Sequence, residues 1–183
     1  MDVLDLYRKT GALLEGHFLL RSGKHSPLFL QSAALLQHPL YAEAVGEALA
    51  RHFEDEPFEF VIGPAIGGVI LSFVVARAAG ARALFAEKAP DGGMIIRPGL
   101  EVNPGDRFLA VEDVVTTGGS LKRAIDAARA RGAVPVAAAA IIDRSGGQAS
   151  FDVPFRSLAT LSAPAYEPDG CPLCRAGVEL EEV

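Results

Sequence analysis

The chain has 183 residues, 50% of them apolar, with a formal net charge of -6 and no basic run or tail. That composition excludes a disordered chain and argues against a nucleic-acid binder that presents a basic face. No apolar run approaches the ~20 residues of a membrane span, so no membrane role is expected. The start, Met1-Asp2-Val3-Leu4-Asp5, is acidic and lacks the basic flank of a signal peptide, so a cytoplasmic address is expected. Two cysteines, Cys171 and Cys174, stand in a C-x-x-C spacing. Zinc normally takes four ligands, there is no second Cys pair, and the nearest upstream histidine is His52. The expectation is a structural pair of thiols rather than a metal or redox site.

Taken in chain order, residues 2 to 14 space Val3, Leu4, Leu6, Tyr7, Leu13 and Leu14 as a helix would. Gly16 to Leu20 and Pro27 to Leu30 read as short strands around a Ser22-Gly23-Lys24 turn. Residues 40 to 53 read as an amphipathic helix. Phe58 to Ile62 is a strand ended by Gly63-Pro64, followed by a helix from about Gly68 to Ala79 and a strand over Arg82 to Ala86. Arg107 to Val111 is a further strand. Ser120 to Arg131 is a helix with Leu121, Ala124, Ile125 and Ala128 on one face, ended by Gly132. Val134 to Ile142 reads as a buried strand, with helix an alternative because of its four alanines, and Leu158 to Leu161 as an edge strand. Alternating strands and helices predict an α/β fold, a parallel sheet with helices on both faces. Ligands of such sheets bind at the carboxyl ends of strands. Three loops fall there: Gly63 to Gly68, Glu112 to Ser120, and Asp143-Arg144.

The second loop carries the most chemistry. Glu112 and Asp113 sit where the apolar strand is expected to end, suited to accept hydrogen bonds from sugar hydroxyls. Thr116-Thr117-Gly118-Gly119-Ser120 then places hydroxyls and two glycines directly before a helix, which lets backbone amides approach an anion. Helix capping alone accounts for the Thr and Ser but not for the acidic pair and the double glycine together. The pattern is neither a G-x-x-x-x-G-K-[ST] loop nor a G-x-G-x-x-G fingerprint, which disfavours nucleotide hydrolysis and dinucleotide binding.

An apolar strand, two acidic residues, two apolar residues and a small hydroxyl- and glycine-rich loop resemble the signature of type I phosphoribosyltransferases. The resemblance implies that Glu112 and Asp113 face the ribose of phosphoribosyl pyrophosphate (PRPP), with Asp113 catalytic, and that Val114, Val115, Thr116, Thr117, Gly118, Gly119 and Ser120 form the rest of its ribose-phosphate cradle. Gly63-Pro64-Ala65-Ile66-Gly67-Gly68 is similar to the family's pyrophosphate loop, which implies donor contacts from Ala65, Ile66 and Gly67 and a non-proline cis peptide near Ala65-Ile66. Gly16-His17-Phe18-Leu19-Leu20-Arg21-Ser22-Gly23-Lys24-His25-Ser26-Pro27 resembles the hood of orotate phosphoribosyltransferases, and so does Asp143-Arg144. That implies orotate contacts from Arg21, Phe29, Thr116 and Arg144; an arginine offers a planar fork suited to a carboxylate. Lys24 and His25 also fit solvated turn residues.

Many relatives carry a long mobile loop with several lysines and a histidine, whereas here Glu87 to Arg97 is short, holds Lys88 alone, and reads as a hairpin turning at Asp91-Gly92-Gly93. Lys88 is then the expected cation at the donor's pyrophosphate and the second catalytic residue, unless it pairs with Glu87; Arg97 is the other candidate. The resemblance further implies Mg²⁺ carried by the substrate near Glu112 and Asp113 rather than held directly by protein, and a homodimer. The expected layout is one domain over 1–183: a hood to about 35, a core to about 165, and a tail over 166–183. A transferase for another base and a non-catalytic donor-binding regulator would share the central loop.

Overall fold

The computed structural model describes residues 2–20 and 22–183. Its first helix, α1 (Val3–Lys9), starts where the Asp2 carboxylate accepts from the Leu4 and Asp5 amides. It stops at Thr10 and Gly11, the latter at φ 67°, and does not run on to residue 14. Leu13 and Leu14 instead open strand β1 (Leu13–Leu19), opposite Leu30 and Phe29 of the antiparallel β2 (His25–Leu30). A left-handed glycine ends the helix despite continuing apolar spacing. Two helices follow, the short α2 (Ser32–Leu36), too brief to show a helical period in the sequence, and α3 (Pro39–Arg51).

The main sheet is built from β3 (Phe60–Pro64), β4 (Arg82–Lys88), β5 (Met94–Ile95), β6 (Arg107–Val115), β7 (Val134–Asp143) and β8 (Phe155–Thr160), in spatial order β5-β4-β3-β6-β7-β8. All pairs are parallel except the β4–β5 hairpin. Helix α4 (Gly67–Ala79) connects β3 to β4, and α5 (Gly119–Arg129) connects β6 to β7. The chain therefore leaves β3 toward one sheet edge and β6 toward the other. Two right-handed crossovers in opposite directions put α4 and α5 on opposite faces.

Alternating side chains along the central strands feed two cores. Val61, Leu109, Val111, Ala137 and Ala139 join α1 to α4 on one face, while Phe60, Phe108, Ala110, Ala138 and Ala140 join α5 on the other. This period-2 partition settles β7 as a strand: its alanines are buried on both faces and paired with β6 and β8 simultaneously. Pro64 lies within β3, beyond the point at which pairing with β6 ends at Ile62, so its missing amide breaks no ladder. Strand β6 outruns its expected end by four residues, because β7 continues to pair with it as far as Asp143. The acidic pair thus belongs to the strand itself.

The remaining residues close a second, three-stranded sheet. After one 3₁₀ turn (Pro168–Gly170) and the single-turn helix α6 (Pro172–Arg175), β9 (Glu181–Glu182) pairs in parallel with β1. Among the described residues no helix is long and apolar enough to cross a membrane.

Candidate functional site

The neighbours β3 and β6 are the place where the chain reverses its direction of travel across the sheet. A crevice opens beyond their carboxyl ends at such a point. Both glycine-rich loops emerge there. After β3, Gly63 and Gly68 approach so closely that a Cβ on Gly63 would lie 2.5 Å from the Gly68 carbonyl oxygen. This contact folds the chain straight from strand into α4. The Ala65–Ile66 peptide between them is cis, as the resemblance implied. Ile66 is 88% exposed, and α4 begins without any side-chain cap.

After β6, Gly118 takes φ 75° and serves as the N-cap of α5, again with no side-chain cap. A Cβ there would come within 2.8 Å of the Phe151 ring, so both the conformation and the space require glycine. Thr117 Oγ1 accepts from the Gly119 amide at 3.4 Å. Thr116 and Thr117 are exposed, and Gly119 and Ser120 half-buried. The hydroxyls cap little of α5: Thr117 meets the Gly119 amide, whereas the Leu121 amide meets Glu112 and the Lys122 amide the Gly118 carbonyl. Two helix starts, each carrying partial positive charge, flank one crevice.

Glu112 and Asp113 lie between these starts and turn different ways. Asp113 faces α4, with its carboxylate 3.0 Å from where a Gly67 Cβ would be. It also adds its charge to Tyr7, whose phenol is pushed up first of all by burial and which bonds Ser32 at 2.8 Å. Glu112 faces α5. Burial, and then the charge of Asp113, push its carboxyl up to about 8, against partial relief from the Leu121 amide and from Arg123. Neither carboxylate forms an ion pair among the described residues. Such a pair of hard oxygen donors fits a cation carried in on a substrate.

Arg144 follows β7 and lies alongside, its amide bonded to the Val115 carbonyl at 2.7 Å. Its side chain is half-buried, burial lowers its pKa, and it makes no ion pair among the described residues. A surface salt bridge, the ordinary explanation for this arginine, is thus absent. Lys88, at the end of β4, is exposed and likewise without a carboxylate partner; Glu87 pairs with Arg97 at 2.5 Å instead. The expected hairpin is present, with Lys88 opposite Met94 and the Ala89 amide bonded to the Gly93 carbonyl. Phe29 packs against Phe18 in the hood, ring centroids 5.9 Å apart. Arg21 lies outside the described residues. A groove of about 720 Å³ between α3 and α4, lined by Glu47, Arg51, Phe58 and Glu59, opens at the amino ends of the strands and carries neither loop.

Two readings of the hood need correction. Lys24 is tied to Glu167 at 2.8 Å, and His25 is buried, so neither is a freely solvated turn residue. The C-x-x-C thiols do not stand alone either: His17 and His25, far upstream, lie beside them. His52, which caps α3, is not part of the group. Sequence proximity was the wrong guide, because the β1–β2 register and the return of the tail determine which histidines meet the cysteines. Phe151 and Arg123 also contribute to the site without a motif to mark them.

A switch-point crevice with two uncapped helix starts and a paired carboxylate between them defines a protein that binds a phosphorylated sugar. The chain belongs to the phosphoribosyl transferase domain family, whose model matches residues 31–162. It is 74% identical over 183 residues to the orotate phosphoribosyltransferase of Thermus thermophilus, covering 100% of both chains. It is 51% identical over 180 residues to that of Thermotoga maritima, covering 98% of this chain and 96% of the relative. Among solved structures, the orotate phosphoribosyltransferase from Aeropyrum pernix superposes with a TM-score of 0.72 at 26% identity, covering 87% of this chain and 93% of the other.

The Glu112 environment gives a signed pH prediction. The carboxyl ionises at its ordinary 4.5 in the unfolded chain and at about 8 in the folded one. Its contribution is therefore intact below 4.5 and is lost as pH rises through 8, by at most about 1.4 kcal/mol per pH unit. Without ligands, Glu112→Gln should raise Tm well above pH 8 and leave it unchanged below pH 4.5. Equal effects at both pH values would show that Glu112 is not buried against Asp113.

Proposed function

We propose that the chain transfers ribose-5-phosphate from PRPP to orotate, forming orotidine 5'-monophosphate and releasing pyrophosphate. The observation that carries this reading is the convergence of an unpaired arginine, Arg144, with the carboxylate pair and both glycine-rich loops on one crevice. The identity to orotate phosphoribosyltransferases over the whole chain supports the choice of base.

In this reading Thr116 to Ser120 and the α5 amides hold the 5-phosphate, with Val114 and Val115 setting the loop's direction. Ala65, Ile66 and Gly67 offer amides to the pyrophosphate. Glu112 and Asp113 accept hydrogen bonds from the ribose hydroxyls, and Asp113 stabilises positive charge growing on the ribose ring. The orotate ring nitrogen forms its bond to the anomeric carbon as the carbon–oxygen bond to pyrophosphate breaks. Mg²⁺ on the pyrophosphate, near Glu112 and Asp113, would neutralise leaving-group charge when bound. Lys88 supplies a further positive charge to the departing group. Arg144 presents its fork to orotate, Thr116 adds a hydroxyl, and Phe29 and Arg21 reach the ring from the hood.

The same reading takes residues 1–183 as one domain of hood, core and tail, working in the cytoplasm on small-molecule substrates. It also takes the working form to be a homodimer. Ile66, Ile70 and Phe73 form an exposed apolar stripe on α4 beside the crevice, 88%, 46% and 59% accessible. Covering it with a second copy would place the partner near the pyrophosphate loop. Light scattering should give a dimer for the unmodified chain and a smaller species for Phe73→Glu. A fully active monomer would count against the assembly.

The direct test is incubation with PRPP, Mg²⁺ and a panel of free bases. Loss of orotate absorbance with appearance of orotidine monophosphate is expected; turnover of another base alone, or donor binding without turnover, would overturn the assignment.

Arg144→Lys separates base recognition from donor binding. A lysine keeps the charge but not the planar fork. With hydrogen bonds to charged groups contributing ~1.5–3 kcal/mol, kcat/KM for orotate should fall roughly tenfold to hundredfold. Donor affinity should change far less. If both fall together, Arg144 supports the crevice generally; if neither does, orotate is recognised elsewhere.

A further inference from the structure

Where the tail meets the hood, four side chains from distant parts of the sequence converge. His17 lies on β1, His25 on β2, Cys171 at the N-cap of α6 and Cys174 at its last turn. One donor atom from each lies within 4.8 Å of all the others. His17 Nε2 is 2.9 Å from His25 Nδ1, 3.5 Å from Cys171 Sγ and 3.7 Å from Cys174 Sγ, while Cys174 Sγ is 3.2 Å from His25 Nδ1. Around a tetrahedral zinc, with bonds of about 2.3 Å to sulfur and about 2.0–2.1 Å to nitrogen, neighbouring ligand atoms stand about 3.3–3.8 Å apart. These four separations, 2.9 to 3.7 Å, lie close to that spacing, and no pair of the four donors exceeds 4.8 Å.

Three further observations point the same way. The cysteines are free thiols, not a disulfide. His17 and His25 are 1% and 5% exposed, and apart from the bond between their rings and the one from His17 to Val178, the polar groups that meet these buried imidazoles are the two thiols. His17 Nδ1 is bonded to the Val178 carbonyl at 2.8 Å, which fixes the ring so that Nε2 faces the cluster, the outer-shell contact that metal-bound histidines usually make. The tail itself has little else to hold it: from residue 162 to 183, Cys171 is the one buried residue. A segment with so small an apolar contribution needs a staple of another kind.

We propose that His17, His25, Cys171 and Cys174 form a structural zinc site that clamps the tail onto the hood. Binding replaces the two thiol protons with Zn²⁺, so two protons are released and the Cys₂His₂ centre is electrically neutral. Four protein ligands leave no position for water, which marks the site as structural and not catalytic. The clamp closes a ring in which Tyr166 bridges His25 in both directions and β9 pairs with β1. Its ligands bracket the turn between β1 and β2, so the metal would fix the base of that turn.

The test uses the full chain, produced with zinc in the medium, desalted, and assayed for metal by mass spectrometry. About one zinc per chain is expected. Cys174→Ala should lose it while keeping its circular dichroism, since Cys174 is exposed and its removal opens no core; His25→Ala provides the second variant. Cobalt in place of zinc should give a thiolate charge-transfer band and intense tetrahedral visible bands in the unmodified chain, absent from Cys174→Ala. A strong chelator should lower Tm of the unmodified chain and leave that of Cys174→Ala unaltered. A folded protein with no bound metal and two titratable thiols would overturn the proposal. So would a Cys171–Cys174 disulfide in freshly isolated protein, or zinc retained undiminished by both variants.

Discussion

The molecule is organised by the reversal of chain direction between β3 and β6. Because α4 leaves β3 toward one edge and α5 leaves β6 toward the other, no connection crosses the gap between these two strands at their carboxyl ends. The gap is bordered by two helix starts on opposite faces of the sheet, so anionic groups can be met from both sides without a large positive surface. An acidic chain can hold a triply phosphorylated sugar in this way, since local dipoles and a few placed cations matter more at short range than the net charge. The burial that makes these dipoles effective also raises the cost of ionising Glu112 beside Asp113.

Much of this was readable in the sequence because the relevant signals are local. Glycine at 118 is demanded by its own backbone angle and by Phe151, and the order of acidic pair, apolar pair and hydroxyl-rich loop survives as a string of adjacent letters. The strand-helix alternation of the core was legible for the same reason. What escaped depends on pairing between distant segments. The length of β6 is determined by its neighbour β7, not by its own composition, so the acidic residues fell outside the expected strand. Leu13 and Leu14 fit a helix in isolation and were claimed by β2 across the hairpin. Short α2, with no cap and few residues, left no periodic trace.

The alanines of β7 show how the two layers on the sheet are kept close. Ala137 to Ala140 point alternately to either core, and all are essentially inaccessible. A larger side chain at any of them would push a helix away from the sheet and shift the start of α4 or α5, and with it a loop. Packing at the sheet's centre and geometry at its rim are therefore coupled through rigid helices.

The return of the tail to the hood has a consequence for biosynthesis. His17 and the Val178 carbonyl it bonds are separated by 161 residues, and β1 receives its second neighbour only from β9. On a ribosome, the crevice-bearing sheet is therefore fully translated before the hood has its last strand. Contacts of such sequence span are slow to form and are assembled after local ones. The nascent chain passes through a stage in which the sugar-phosphate crevice has all its strands while β1 is still waiting for its second partner.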